Sequence, residues 1–72
     1  MIDEKLAEIG KICADRRLEL GMSQREIGEM IGVTRKGVNH FEHGGTRNVQ
    51  FLLTYLSLGV DLDEILSVWN SD

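Results

Sequence analysis

Proline is absent from the 72 residues, and cysteine, tryptophan and tyrosine occur once each. Without proline or a low-complexity tract, nothing in the chain reads as a linker or a disordered tail. The lone Cys13 has no partner for an internal disulfide, which fits a reducing compartment. It falls among apolar positions and reads as a small core residue, the alternatives being a reactive thiol or an intermolecular bridge. Long apolar runs are missing too, which excludes a membrane-spanning helix. The opening Met1-Ile2-Asp3-Glu4-Lys5 lacks the basic-then-apolar order of a signal peptide. A cytoplasmic protein is expected. Catalysis needs a nucleophile with a base, paired carboxylates in a cleft, or a metal set, and none stands out. His40 and His43 are three apart, but no cysteine or acid has the spacing to complete a metal site. No enzyme activity, cofactor or metal is expected.

Basic residues are scarce, with 8 Lys and Arg against 12 Asp and Glu for a net charge of −4. Such a balance weakens bulk attraction to polyanions, so the distribution of charge carries more information than its sum. Residues 1–33 hold five bases and seven acids, and residues 49–72 hold four acids and no base. Only residues 34–48 are net positive, with Arg35, Lys36 and Arg47 against Glu42.

Apolar spacing predicts five helices and no strands. The first runs from Asp3, a plausible N-cap, to Leu20, with Leu6, Ile9, Ile12, Cys13, Leu18 and Leu20 as its apolar positions and Gly21 as its stop. The second opens on a capping box of Ser23 and Glu26, places Ile27, Met30 and Ile31 on its apolar face, and ends at Gly32. Thr34 caps the third, which buries Val38 and Phe41 and ends at Gly44-Gly45. Thr46 or Asn48 caps a very apolar fourth helix (Val49, Leu52, Leu53, Leu56, Leu58). Asp61 and Glu64 form a second capping box ahead of Leu62, Ile65, Leu66 and Trp69. With so tight a turn at Gly32-Val33, the second and third helices must cross steeply, as in a helix-turn-helix. The expected fold is all-α: one compact five-helix domain over residues 1–72, with its helix-turn-helix at Ser23–Glu42.

The run from Met22 to Gly44 resembles the lambda-repressor-like helix-turn-helix family of phage repressors and Cro. Ser23-Gln24, Gly32-Val33, Val38 and Glu42-x-Gly44 stand in the family's register, and Arg17-Leu-Glu-Leu-Gly21 and Leu56-Ser-Leu-Gly59 extend the likeness over nearly the whole chain. One departure is Gly28, where the family usually carries alanine. A small residue is required between the two helices, so glycine reads as tolerated at about 1 kcal/mol of helix propensity. Gly37 carries a similar penalty and would permit close approach to a DNA backbone or a partner.

The resemblance implies binding to double-stranded DNA, with the third helix in the major groove. Thr34, Arg35, Lys36, Asn39 and His40 are then the base-contacting candidates, arginine being suited to guanine and asparagine to adenine. Ser23 and Gln24 at a helix N-terminus, with His43, Thr46, Arg47 and Asn48 on the following loop, are the phosphate candidates. The resemblance also pairs Glu42 with Arg17 as a structural brace. Phe51, Tyr55, Leu66, Val68 and Trp69 offer more apolar surface than a core this small needs, and part of this set is expected at a homodimer interface, the alternative being that all of it is core. The implied function is a dimeric, sequence-specific transcriptional regulator, a repressor on a palindromic operator. The alternative is an antitoxin or controller-type protein that mainly binds a protein partner such as a toxin. No membrane or small-molecule ligand is expected.

Overall fold

Five helices account for most of the computed structural model, which describes residues 3–71. They are α1 (Glu4–Glu19), α2 (Gln24–Ile31), α3 (Arg35–Glu42), α4 (Val49–Ser57) and α5 (Leu62–Trp69). Met1 and Ile2, which open the N-terminal reading above, and Asp72, counted among the C-terminal acids, lie outside the described residues. No helix among those described is long and apolar enough to cross a membrane.

Local capping explains the boundaries. Asp3 Oδ1 accepts from the backbone N–H groups of Lys5 and Leu6 at 2.9 and 3.1 Å, opening α1. The capping box of α2 is reciprocal: Glu26 N–H donates to Ser23 Oγ at 3.0 Å, and Ser23 N–H to Glu26 Oε1 at 2.9 Å. Thr34 Oγ1 accepts from Gly37 N–H at 3.2 Å to open α3. Of the two candidates for α4, Asn48 is the cap, taking Gln50 N–H at 2.9 Å, while Thr46 Oγ1 accepts from Asn48 N–H one turn earlier. The second capping box does not form. Asp61 Oδ1 takes the N–H of Asp63 rather than that of Glu64, and the Glu64 side chain stays in solvent.

The core joins Ile9 and Cys13 of α1, Ile27 of α2, Val38 and Phe41 of α3, Phe51 and Tyr55 of α4, then Val60 and Ile65. Phe41 lies stacked with both Phe51 and Tyr55, at ring-centroid distances of 4.9 and 5.8 Å. This stacking corrects one expectation. Phe51 and Tyr55, candidates for a dimer interface by their apolar character, are 4% and 0% exposed and close the core beneath α3. Burying each contributes roughly 1.5–3 kcal/mol, so neither is free for a second subunit. Val68 is half-buried against the same core, while Leu66 and Trp69 are 43% and 53% exposed. The apolar positions Leu18, Leu20 and Met30 also stand in solvent. Cys13 is fully buried, and burial, reinforced by the Glu42 charge, pushes its thiol up to about 12. That keeps it unreactive in the folded state.

Gly28 is more than tolerated. A Cβ there would stand 2.6 Å from the Val33 carbonyl oxygen and 3.3 Å from the Thr34 carbonyl carbon. Both neighbours are backbone, and the Gly28 carbonyl itself takes the N–H groups of Gly32 and Val33 at 2.8 and 2.9 Å. The α2–α3 turn therefore closes on the glycine. Helix propensity alone would make Gly28→Ala stabilising by about 1 kcal/mol. The close backbone contact instead predicts a loss of roughly 1–3 kcal/mol, readable as a lower Tm.

Candidate nucleic-acid interface

On α3 the four-residue spacing divides the side chains cleanly. Val38, Phe41 and Glu42 are buried, while Arg35, Lys36, Asn39 and His40 are exposed on the opposite side. Thr34, the cap, is exposed at the same end. Lys36 and His40 border a shallow cleft with Thr34 and Thr46, so α3 and the loop after it share one concave edge. The His40 ring folds back over Gly45, leaving no room for a Cβ there. At Gly37 a Cβ would meet nothing closer than 3.8 Å, so nothing within the chain requires glycine at that position.

Beneath this face lies Glu42, a carboxylate only 5% exposed. Arg17 grips it with two parallel bonds, Nε to Oε2 at 2.8 Å and Nη2 to Oε1 at 3.0 Å. The geometry is the bidentate form that makes such pairs strong. Arg17 also donates from Nη1 to the Met22 carbonyl at 2.9 Å, tying α1 to the entrance of α2. Gln24 donates from Nε2 to Glu42 Oε1 at 2.9 Å, and the Tyr55 hydroxyl donates to Oε2. Burial by itself would raise the Glu42 pKa, but the hydrogen bonds from Arg17, Tyr55 and Gln24 outweigh it and hold the carboxyl below its ordinary value. The Arg17 guanidinium is raised in turn, chiefly by its bonds to Glu42. Burial and the same carboxylate push the Tyr55 phenol up, so it remains a donor.

Tyr55 is the participant that sequence reading placed elsewhere. A buried tyrosine needs a partner for its hydroxyl, and Glu42 is an acceptor in want of donors. That chemistry was the available signal.

Gln24 also donates from Nε2 to Asn39 Oδ1 at 3.1 Å, linking the start of α2 to the exposed face of α3. Both of its amide hydrogens are thereby engaged, and a phosphate would have to meet its backbone N–H instead. Ser23 is occupied as the α2 cap. His43 directs Nδ1 to the Asn39 carbonyl at 2.8 Å. Arg47 is 83% exposed and only 3.9 Å from Asp3 Oδ2, a weak surface pair that leaves it available to other anions. Asn48 is spent on the α4 cap, and Thr46 is half-buried in the loop.

Two short helices crossing at a glycine turn, the second with a polar outer face, define the class of DNA-binding helix-turn-helix domains. Residues 14–52, more than half of the chain, match the helix-turn-helix family model of the lambda-repressor and Cro type. The chain belongs to that family of DNA-binding regulators. No solved structure matched it.

Breaking the pair from one side leaves the other charge buried. Arg17→Ala is expected to cost about 3 kcal/mol, which for a chain of this size lowers Tm by roughly 15 °C. The pH dependence follows from the lowered Glu42 value. Its stabilising contribution is complete above the ordinary carboxyl value of 4.5 and is lost as pH falls through the lower folded-state value. Thermal melts between pH 7 and pH 2 should show this loss in the wild type and a shallower one in Arg17→Ala.

Proposed function

We propose that the chain is a sequence-specific transcriptional repressor that binds a palindromic operator as a homodimer. The observation that carries this reading is the polar outer face of α3, held rigidly above a buried core. Arg35 and Lys36 are the first base readers, Asn39 and His40 lie one turn further on, and Thr34 contacts the groove edge. Ser23, Gln24, His43, Thr46, Arg47 and Asn48 flank them as phosphate contacts, Gln24 through its backbone N–H at the start of α2 and Ser23 through its hydroxyl hydrogen. With a net charge of −4, the protein depends on specific contacts more than on bulk attraction.

Dimerisation is assigned to the apolar surface of α4 and α5. Val49, Leu53, Leu62, Leu66 and Trp69 are all more than 40% exposed. Leu62, Leu66 and Trp69 line a groove of about 410 Å³ together with Leu6 and Leu52. A second copy related by two-fold symmetry would cover this surface and set the two recognition helices about one turn of DNA apart. The exposed Leu18, Leu20 and Met30 favour a second reading, an antitoxin or controller-type protein that binds a protein partner.

Three measurements test the proposal. Binding to a selected palindrome should weaken steeply with salt, whereas a pure protein-interaction module would show neither sequence preference nor salt dependence. Arg35→Ala should cost roughly 1–3 kcal/mol at one base position. An equal loss on all sequences would make Arg35 a phosphate contact. Sedimentation equilibrium should find a dimer at micromolar concentration that Trp69→Glu converts to monomer, and a wild-type monomer would count against the dimer.

A further inference from the structure

A carboxamide is an ambiguous reader. It offers an acceptor oxygen and a two-hydrogen donor side by side, and turning it over exchanges them. Around Glu42 that freedom is removed. An ionised carboxylate only accepts, so Gln24 must turn its Nε2, not its Oε1, toward Glu42 Oε1 at 2.9 Å. The same nitrogen lies 3.1 Å from Asn39 Oδ1, and its second hydrogen holds that oxygen inward. Each amide thereby sets the next. Asn39 is left with its Nδ2 hydrogens to offer and is exposed on the face that also carries Arg35, one helical turn earlier.

We propose that the buried Glu42 carboxylate sets the hydrogen-bond polarity of the reading face, acting through Gln24 to turn the Asn39 amide so that it presents its donor to the groove. The inference rests on the DNA-binding reading above. Asn39 then selects base edges that accept. Guanine, with both N7 and O6 as acceptors, is the best match, and thymine O4 is second. The two-bond contact to adenine, which needs an acceptor for N6 as well as a donor for N7, is opposed because Oδ1 is turned toward Gln24 and away from the groove. Cytosine, which presents only its N4 donor, is rejected. Gln24 and Glu42 are positioning residues in this arrangement, and Asn39 is the contact.

Selection of bound duplexes from random DNA tests the inference, using the wild type, Asn39→Ala, Asn39→Asp and Gln24→Ala. Asn39 is exposed, so its variants keep the fold, and Asp retains an oxygen to accept from Gln24. Asn39→Ala should flatten preference at one base position, which identifies the position read. There the wild type should favour guanine, and Asn39→Asp, which only accepts, should move the preference to cytosine by about tenfold. Gln24→Ala frees the amide to turn and should admit adenine at that position, leaving the position read by Arg35 unchanged. A merely structural role would lower affinity without moving these preferences. An Asn39→Asp profile identical to wild type, or adenine already favoured in the wild type, overturns the inference while the DNA-binding reading stands. If the wild type enriches no sequence, both fall together.

Discussion

A carboxylate held almost out of water is the constraint on which the rest of this small protein depends. Taking Glu42 from solvent costs several kcal/mol, and only well-placed partners offset that cost. Three helices supply them to Glu42 on α3: Arg17 from α1, Gln24 from α2 and Tyr55 from α4. Glu42 is the one charged residue buried among those described. Any shift of one helix by an ångström would leave a donor or the acceptor unsatisfied, so the knot selects one arrangement of the helix-turn-helix over its neighbours. Its value lies in that selection more than in net stability, since apolar residues of the same volume could fill the space.

The aromatic stack and the ionic knot share Tyr55. Its ring packs on Phe41, and its hydroxyl reaches the carboxylate one residue further along α3. The inner side of α3 is thereby pinned by dispersion and by charge at adjacent positions. Its outer side carries only residues that local structure does not need for the core. A protein with a net charge of −4 has little bulk attraction to offer a polyanion, and a rigid, oriented set of donors is the physical alternative.

Much of the fold was legible because the chain is punctuated by caps. Asp3, Ser23 with Glu26, Thr34 and the positive-φ glycines Gly21 and Gly32 mark helix ends by local chemistry alone. Where two acceptors competed, as with Thr46 and Asn48, spacing did not choose. At Asp61 the side chain bonded one residue short of the expected box. The larger misreading, Phe51 and Tyr55 as interface, arose because periodicity says which side of α4 is apolar and not what covers it. Phe41, ten and fourteen residues away in sequence, covers it. Gly28 was misjudged for a similar reason. Its need for a missing Cβ comes from the Val33 carbonyl across the turn, which no propensity scale contains. The pairing of Arg17 with Glu42 follows from family resemblance, whereas the bonds from Gln24 and Tyr55 to that carboxylate cross 18 and 13 residues of chain that spacing alone does not bring together.

The most direct measurement is a ¹³C NMR pH titration of the Glu42 carboxyl, with the side-chain amide of Gln24 followed in the same samples. Glu42 should stay ionised as the pH falls below the ordinary carboxyl value of 4.5, and the Gln24 amide shifts should change in step with its eventual protonation. A Glu42 carboxyl that titrates at or above that ordinary value, while the Gln24 amide stays unmoved, would contradict the account.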